Sequence, residues 1–473
     1  MRVCTAVTVS HLPWARLLAA SFVERHPEAP APAVLVVDGD AAELRADGEP
    51  FRLLRPADIG IDRDELHRRA AMYRPMELAG STRGALVATL LAESGGEPVL
   101  FLDADIFVLG CLEPLAEQAR AAGVVLSPHL PRPPAEPVAL ERAMLRAGAH
   151  NAGYFAVAGE RGARFAAWWA AHLARDCIDE PAAGLFVSQR WLDLAPSLFD
   201  VAMLRDPGSN VTHHNLGGRA LRRTPDGWTI DGAPLRFLHV GGSFDPRAAS
   251  WPHLSDAPEA TALLREYSTR LIAAGHRAEP VPAYGYAATA DGIALEPWVR
   301  RRCRAALLEG EPFPDPFDPA TASAFTAWLA EPVATGAPAV SRWALALRDW
   351  RADLRPIFPA VPGEDTEPYL RWLAVQEDHA VPEPFRPPAV TLAAERERAA
   401  AAAEFDAVAT ERDEARWEVS VLRDDIAGLE VQLSRAHARA DEAQVALDAL
   451  RGSRVLRASR LPRQAWYRLR PWA

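Results

Sequence analysis

The first half of the chain alternates short apolar runs with stretches whose apolar residues recur every three or four positions, the pattern of strands joined by crossover helices. Residues 3–9 make the first apolar run, residues 14–25 a helical pattern, and residues 33–37 a second run that ends at Asp38. Residues 82–94 predict an amphipathic helix stopped by Gly95-Gly96. Val99–Leu102 is apolar at every position, which predicts a short strand covered on both faces that delivers Asp103 to its C-terminal end. Beyond a proline-rich loop at 128–137, residues 153–157 read as a strand, 161–175 as a tryptophan-bearing helix and 189–194 as a helix running up to Pro196. Trp228-Thr229-Ile230, the turn pair Asp231-Gly232 and residues 235–240 predict a β-hairpin.

These signals predict an α/β domain with a Rossmann-like central sheet over residues 1–257. Residues 258–380 change to helical segments punctuated by proline and predict a helical domain in which no chemistry is legible; residues 381–403 form a linker. Within 404–450 the apolar positions Val419, Leu422, Ile426, Leu429, Leu433, Ala436, Ala440, Ala443, Leu447 and Leu450 are spaced three and four apart in alternation. Such a heptad seam predicts a coiled coil that joins copies of the chain into a homo-oligomer; the alternative is one long helix packed on its own domain. The tail, 451–473, repeats arginine at every third position from Arg451 to Arg463 and carries Trp466, Tyr467 and Trp472 with no acidic residue. Two readings of it stand. It lies on an anionic membrane surface, where each Arg contributes about 1 kcal/mol near the headgroups, or it stays solvated or pairs with the acidic body of the protein.

Composition narrows the picture. At 473 residues, 49% hydrophobic and 24% charged, the chain suits two or three globular units. The formal charge of −11 gives no general attraction to nucleic acid, so no nucleic-acid partner is expected. Cys4, Cys111, Cys177 and Cys303 lie far apart, without the spacing of a zinc knuckle or a disulfide scaffold. The N-terminus runs directly into a strand pattern, and no apolar run is long enough to span a membrane. The expected location is cytoplasmic, with the basic tail as the one candidate for peripheral contact with the inner face of a membrane.

The candidate chemistry centres on Asp103-Ala104-Asp105, set between the apolar runs Leu100-Phe101-Leu102 and Ile106-Phe107-Val108. Two carboxylates at i and i+2 of an extended chain share a face, and a bend at the strand end would converge them on one cation. Apolar flanks on both sides are a poor place for two charges without a metal or cationic partner. Mn²⁺ or Mg²⁺, hard cations that take oxygen ligands and are often shared with substrate phosphates, fit this donor set. The further triplets Asp38-Gly39-Asp40 and Asp62-Arg63-Asp64 read as solvated turns.

Four segments in order resemble the glycosyltransferases of GT-A fold, in particular the glycogenin-like and galactosyltransferase-like family 8. Asp103-Ala104-Asp105 resembles the family's D-x-D site. Asn151-Ala152-Gly153 is similar to its asparagine-x-glycine turn beside the donor sugar, and Ser188-Gln189-Arg190-Trp191-Leu192-Asp193 to its "DQ" helix near the anomeric carbon. His239-Val240-Gly241-Gly242 resembles its H-x-x-G, whose histidine completes the metal site. The resemblance, spanning residues 2–246, implies Asp103, Asp105 and His239 as metal ligands, Gln189 and Asp193 as catalytic groups, and donor contacts from Ala104, Asn151, Gly153 and Gly242. It further implies a nucleotide-diphosphate sugar as donor, a UDP-sugar first, a glycan or lipid-linked acceptor, and retention of anomeric configuration. Two positions depart from the pattern. Ser188 stands where the family has aspartate, and the lysine that follows H-x-x-G is absent from Ser243-Phe244-Asp245-Pro246, which leaves Arg83 as the candidate contact for the diphosphate.

The same residues carry plainer readings. His239 reads also as a core or turn histidine, Asn151 and Gly153 as an ordinary turn, and Gln189 with Asp193 as a solvent-facing pair four apart on a helix. His213-His214-Asn215 reads as loop packing. The departures at Ser188 and at the missing lysine suit an alternative function, a degenerate sugar-nucleotide-binding module on a coiled-coil scaffold.

Overall fold

A computed structural model of the chain describes residues 1–39, 48–133, 139–241, 244–246, 249–251, 258–277, 284–333, 339–374 and 381–386, with the single positions or short runs 405, 408–409, 412–416, 419 and 422. Met1–Leu370 and Val381–Arg386 make one compact unit; Arg371–Ala380 and Pro387–Ala473 make another.

The first unit opens with β1 (Arg2–Val7), α1 (Leu12–Arg25), β2 (Ala33–Val36), β3 (Arg52–Leu54), α2 (Arg63–Met72) and α3 (Pro75–Glu93). Then come β4 (Val99–Leu102), β5 (Ile106–Val108), α4 (Glu113–Ala122), β6 (Val124–Pro128), α5 (Ala139–Ala147), β7 (His150–Val157) and α6 (Gly159–Asp176). A two-residue ladder of β8 (Asp179–Glu180) and β9 (Leu185–Phe186), the short α7 (Ala195–Leu198) and β10 (Ala202–Met203) lead to β11 (Leu221–Thr224), β12 (Gly227–Ile230), β13 (Ala233–Pro234) and β14 (Phe237–His239). The helices α8 (Pro258–Ala273), α9 (Pro297–Glu309), α10 (Ala322–Ala330) and α11 (Arg342–Trp350) follow.

Seven strands form the central sheet in the order β10-β6-β7-β4-β1-β2-β3. β7 alone runs against its neighbours β4 and β6, and every other pairing in the sheet is parallel. Alternate strand residues face opposite layers. Cys4, Val99 and Phe101 pack among Leu86, Leu90, Phe165 and Trp169 of α3 and α6. Val3, Leu100 and Leu102 pack among Leu18, Phe22, Leu115 and Ala119 of α1 and α4. Such two-sided cover is why Val99–Leu102 is apolar throughout, and the chain is of the α/β class that its pattern predicts.

Three local departures from the sequence expectations have physical causes. α3 starts at Pro75, about two turns before residue 82, because proline takes the first helical position and the Glu77 carboxylate accepts the Arg74 N–H at 2.8 Å to close the cap. Gly80 and Gly84 mask that start in the sequence, yet Gly84 is there for packing: a Cβ on it would lie 2.6 Å from the Ala170 nitrogen of α6. Residues 235–240 do not return as the second arm of the hairpin. The Asp231-Gly232 turn joins β12 only to the short β13, and β14 leaves to pair antiparallel with β5. Residues 190–193 form a 3₁₀ turn and Ala195–Leu198 a single α-turn with Pro196 inside it. In 3₁₀ geometry residues three apart eclipse, so Arg190 and not Gln189 stands over Asp193.

Helices after residue 258 pack within the first unit. Leu263, Leu264 and Tyr267 of α8 share an apolar cluster with Trp228, Leu238 and Val240. The buried Arg300 of α9 donates to the carbonyls of Ala70 and Tyr286, closing the C-terminal end of α2. In the second unit, Phe405, Val408, Val419 and Leu422 are helical and exposed. The seam from Ile426 onward, the expected homo-oligomer contact and the basic tail 451–473 lie outside the described residues. Among the described residues no helix is long and apolar enough to cross a membrane, and all four cysteines are free.

Candidate metal centre

The site forms where two antiparallel pairings meet at the C-terminal end of β4. Because β7 runs against β4, with Leu102 opposite Tyr154, its first residues come alongside the last of β4, and the Asp103 N–H donates to the Gly153 carbonyl at 2.8 Å. The Ile106 N–H donates back to the Asp103 carbonyl at 3.0 Å, a tight turn that supplies the bend needed to converge the two carboxylates. Ala104 sits at its tip against Val7, Leu12 and Val36. β14 then pairs with β5, His239 opposite Ile106, and carries the imidazole to the same spot.

His239 Nε2 lies 3.3 Å from Asp105 Oδ1 and 4.0 Å from Asp103 Oδ2, and the three residues each offer a ligand atom within 4.8 Å of the others. Neighbouring ligands of an octahedral Mg²⁺ or Mn²⁺ are about 3 Å apart, so these three side chains fit such an ion with small adjustments. Glycine at 153 keeps the space open: a Cβ there would meet His239 Cε1 at 2.3 Å and Asp103 Oδ2 at 2.8 Å. About a quarter of each carboxylate side chain reaches solvent, 26% for Asp103 and 28% for Asp105, which leaves a face free for further ligands.

Burial pushes the Asp103 carboxyl above its usual pKa; Arg83 offsets part of that shift and Asp105 adds to it. At Asp105 burial pushes the same way, but His239, through charge and a hydrogen bond, holds the carboxyl below its usual range. His239 is the counterpart. Burial would lower it, yet Asp105 and Asp103 together raise it above its ordinary value.

Asn151 Oδ1 accepts the Gly153 N–H at 2.8 Å, and its Nδ2 lies 3.0 Å from both Asn210 Oδ1 and His239 Nδ1. Asn210 Oδ1 stands 3.4 Å from the same ring nitrogen, an acceptor for the proton that Nδ1 must carry when Nε2 binds a cation. Asn210 is 3% exposed and has a φ of 49°, a conformation that asparagine tolerates better than most side chains. The sequence reading missed it, and Ser209-Asn210 in a loop carried no stronger signal than a turn.

Arg83 lies behind the centre. Its Nη2 donates to Asp103 Oδ1 at 2.5 Å, its Nη1 to the Ala152 carbonyl at 2.8 Å, and its guanidinium covers the Phe101 ring at 4.7 Å. Gln189 reaches the turn from the other side, accepting the Ala152 N–H at 3.2 Å and donating to the Ala147 carbonyl at 3.0 Å. Asp193 accepts from the Ala149 N–H at 2.9 Å and pairs with His150 and Arg190. Despite burial, the hydrogen bond from His150 and its other partners hold Asp193 below the usual carboxylate range. Gly242 lies outside the described residues, and Gly241 beside it donates its N–H to Asp105 Oδ2 at 3.0 Å.

Histidines gather around Gln189. His129 is pushed down to about 4 by burial, with the Gln189 hydrogen bond acting against that and His214, His239 and His150 adding to it. His129 and His214 stand edge to face at 6.3 Å. Of the other acidic triplets, Asp62 is the N-cap of α2, accepting the Glu65 N–H at 2.8 Å. Asp38 is not a solvated turn residue: it is 7% exposed and accepts from the N–H groups of Val9 and Gly285.

No family model and no curated protein sequence matches the chain. Among solved structures it is similar to the galactosyltransferase LgtC in complex with donor and acceptor sugar analogues, at 18% identity and a TM-score of 0.38 over 59% of this chain and 98% of that one. It is similar also to the glycosyltransferase GlyE of Streptococcus pneumoniae, at 14% identity and a TM-score of 0.34 over 57% and 63% of the two chains. Mouse xyloside xylosyltransferase 1 matches at 10% identity and a TM-score of 0.31 over 51% of this chain and 97% of its own.

Proposed function

We propose that the chain is a GT-A-type glycosyltransferase that moves a hexose from a nucleotide-diphosphate sugar, a UDP-sugar first, to a glycan or lipid-linked acceptor with retention of configuration. The observation that carries the reading is the convergence of Asp103, Asp105 and His239 at the C-terminal edge of a largely parallel sheet, the edge where α/β folds bind nucleotides. A divalent cation held there would neutralise charge on the departing diphosphate.

The chain's own residues supply the rest. Asp105 and His239 hold each other in place, and Arg83 offsets part of the upward shift that burial gives Asp103. Asn151 holds the open floor at Gly153, and Asn210 Oδ1 faces the Nδ1 of His239 as the acceptor for its proton. Gln189, pinned at Ala147 and Ala152 and hydrogen-bonded to His129, sets its amide beside the turn where the sugar would lie. Asp193, tied to His150 and Arg190, positions that turn and is in no state to act as a free base. A retaining transfer in which the leaving diphosphate oxygen takes the acceptor proton needs no such base. The seam of residues 404–450 would join copies of the chain, and the tail 451–473 would hold the enzyme near a lipid-linked acceptor at the inner face of a membrane.

The test is a screen of the protein with Mn²⁺ against UDP-, GDP- and dTDP-sugars, read by nucleotide release and thermal shift. A metal-dependent response to one donor, lost in Asp105→Ala, is expected. No response to any donor overturns the reading, and slow hydrolysis without transfer to any acceptor favours the degenerate binding module that Ser188 and the missing lysine suggested.

A further inference from the structure

Three half-buried histidines that take no part in the cation site stand beside it. His129 follows β6, where its N–H donates to the Ala149 carbonyl at 3.0 Å and its ring is hydrogen-bonded to Gln189. His213 and His214 lie on the loop that carries Asn210. Asn215 ties that loop to the end of β6, its Nδ2 donating to the carbonyls of His129 at 3.3 Å and Asn210 at 2.8 Å. The rings run in series: 6.3 Å separates the centres of His129 and His214, 3.7 Å those of His214 and His213, and 5.7 Å those of His213 and Trp251. The series ends close to the cation site, because a Cβ on Gly241 would lie 3.7 Å from His213 Cε1 and the Gly241 N–H donates to Asp105.

Sheet topology puts these rings on one side of the cation site and a nucleotide on the other. β1 and β4 are neighbours although the chain passes through β2 and β3 between them, so the crevice that takes a nucleotide in such folds opens between the ends of β1 and β4. β6 lies beyond β7 on the far side of β4. The histidines therefore line the part of the site that the nucleotide does not fill.

His214 is the ring with capacity to spare. Only burial and His239 act on it, both lowering its pKa, so among the described residues no hydrogen bond engages its nitrogens; unlike His129 Nε2, they are not sealed from solvent. With His129 pushed down to about 4, both rings are neutral at neutral pH. A neutral imidazole offers one donor, one acceptor and a flat face, the complement of adjacent sugar hydroxyls and ring C–H groups. An anionic group would need cations, and the arginines of this region are engaged. Arg83 is paired with Asp103, Arg190 with Asp193 and Arg219 with Asp231, and Arg132 donates to the Gly218 carbonyl.

We infer that His214, backed by His213 and His129, forms the acceptor subsite and that it takes a neutral sugar, whose hydroxyls bond the His214 ring beside Gln189. Calling this sugar the acceptor rests on the glycosyltransferase reading; binding of a neutral sugar at His214 does not.

The experiment is saturation-transfer NMR on the full chain with Mn²⁺ and UDP, GDP or dTDP present, using methyl β-galactoside, lactose, maltose and cellobiose, with galacturonate and glucose 6-phosphate as the anionic arm. Thermal shift with Mn²⁺ and each nucleotide is measured in parallel. At least one neutral sugar should bind at concentrations up to about 50 mM, and more tightly than either anion. His214→Ala and His214→Phe, which keeps a ring without its nitrogens, should each weaken that binding by about three- to tenfold. His214→Asn, which keeps a donor and an acceptor, should lose less, and circular dichroism of each variant reports whether it folds. No neutral sugar bound, tighter binding of an anion, or binding indifferent to all three substitutions overturns the inference, whether or not Mn²⁺ and a nucleotide shift the melting. Sugar binding that depends on His214 in a protein without any response to Mn²⁺ and nucleotide would uphold the subsite and overturn the glycosyltransferase reading.

Discussion

His239 Nε2 stands 3.3 Å from Asp105 Oδ1, and the β5–β14 pairing that sets this distance has no counterpart in the local sequence pattern of either segment. Each group shifts the other toward its charged form, Asp105 downward and His239 upward, and a cation on Nε2 would displace any proton there. His239→Ala should therefore weaken Mn²⁺ binding by at least about 100-fold while leaving the fold intact, as read by calorimetric titration and circular dichroism. Unchanged Mn²⁺ affinity would remove His239 from the ligand set.

Gly153→Ala tests the floor of the centre. Its Cβ would sit 2.3 Å from His239 Cε1, so the imidazole must shift away from the carboxylates. Loss of Mn²⁺ binding with a stability cost of about 1–3 kcal/mol in urea unfolding is expected. A variant that binds the ion like the parent would show that the ring has other room.

Arg83→Met leaves Asp103 buried without its cation. The carboxyl, already raised by burial, should rise further, because Arg83 is the group that offsets that burial. Metal affinity should fall by about 10–100-fold near neutral pH and recover part of that loss as pH increases. An affinity profile parallel to that of the parent would place Arg83 outside the centre's electrostatics.

His129 should be neutral throughout the physiological range. Its folded pKa of about 4 lies below the ordinary histidine value, so the unfolded chain binds the proton more readily. The stability it contributes is present above the unfolded value of about 6.5 and is lost as pH falls toward 4. Its ring C–H resonance should titrate near 4, and His129→Gln should flatten stability against pH across that window. A resonance titrating near 6.5 would contradict the buried, uncharged ring.

By itself the sequence determined the α/β class, the strand Val99–Leu102 to the residue, and the residue types of the centre. Each rests on local information: a strand buried on both faces must be apolar throughout, and two carboxylates between apolar runs demand a counter-charge. Tertiary structure alone decided what surrounds them. That β7 enters antiparallel, that β14 abandons its hairpin for β5, and that Asn210 and Arg83 reach the ring and the carboxylate are pairings between distant segments. The burial of Asp38 under Gly285 and the eclipsed Arg190–Asp193 pair have the same origin. Side-chain periodicity sets which face a residue occupies on its own element; which element lies opposite depends on the packing of the whole unit, and that choice turned two aspartates and a histidine into one centre.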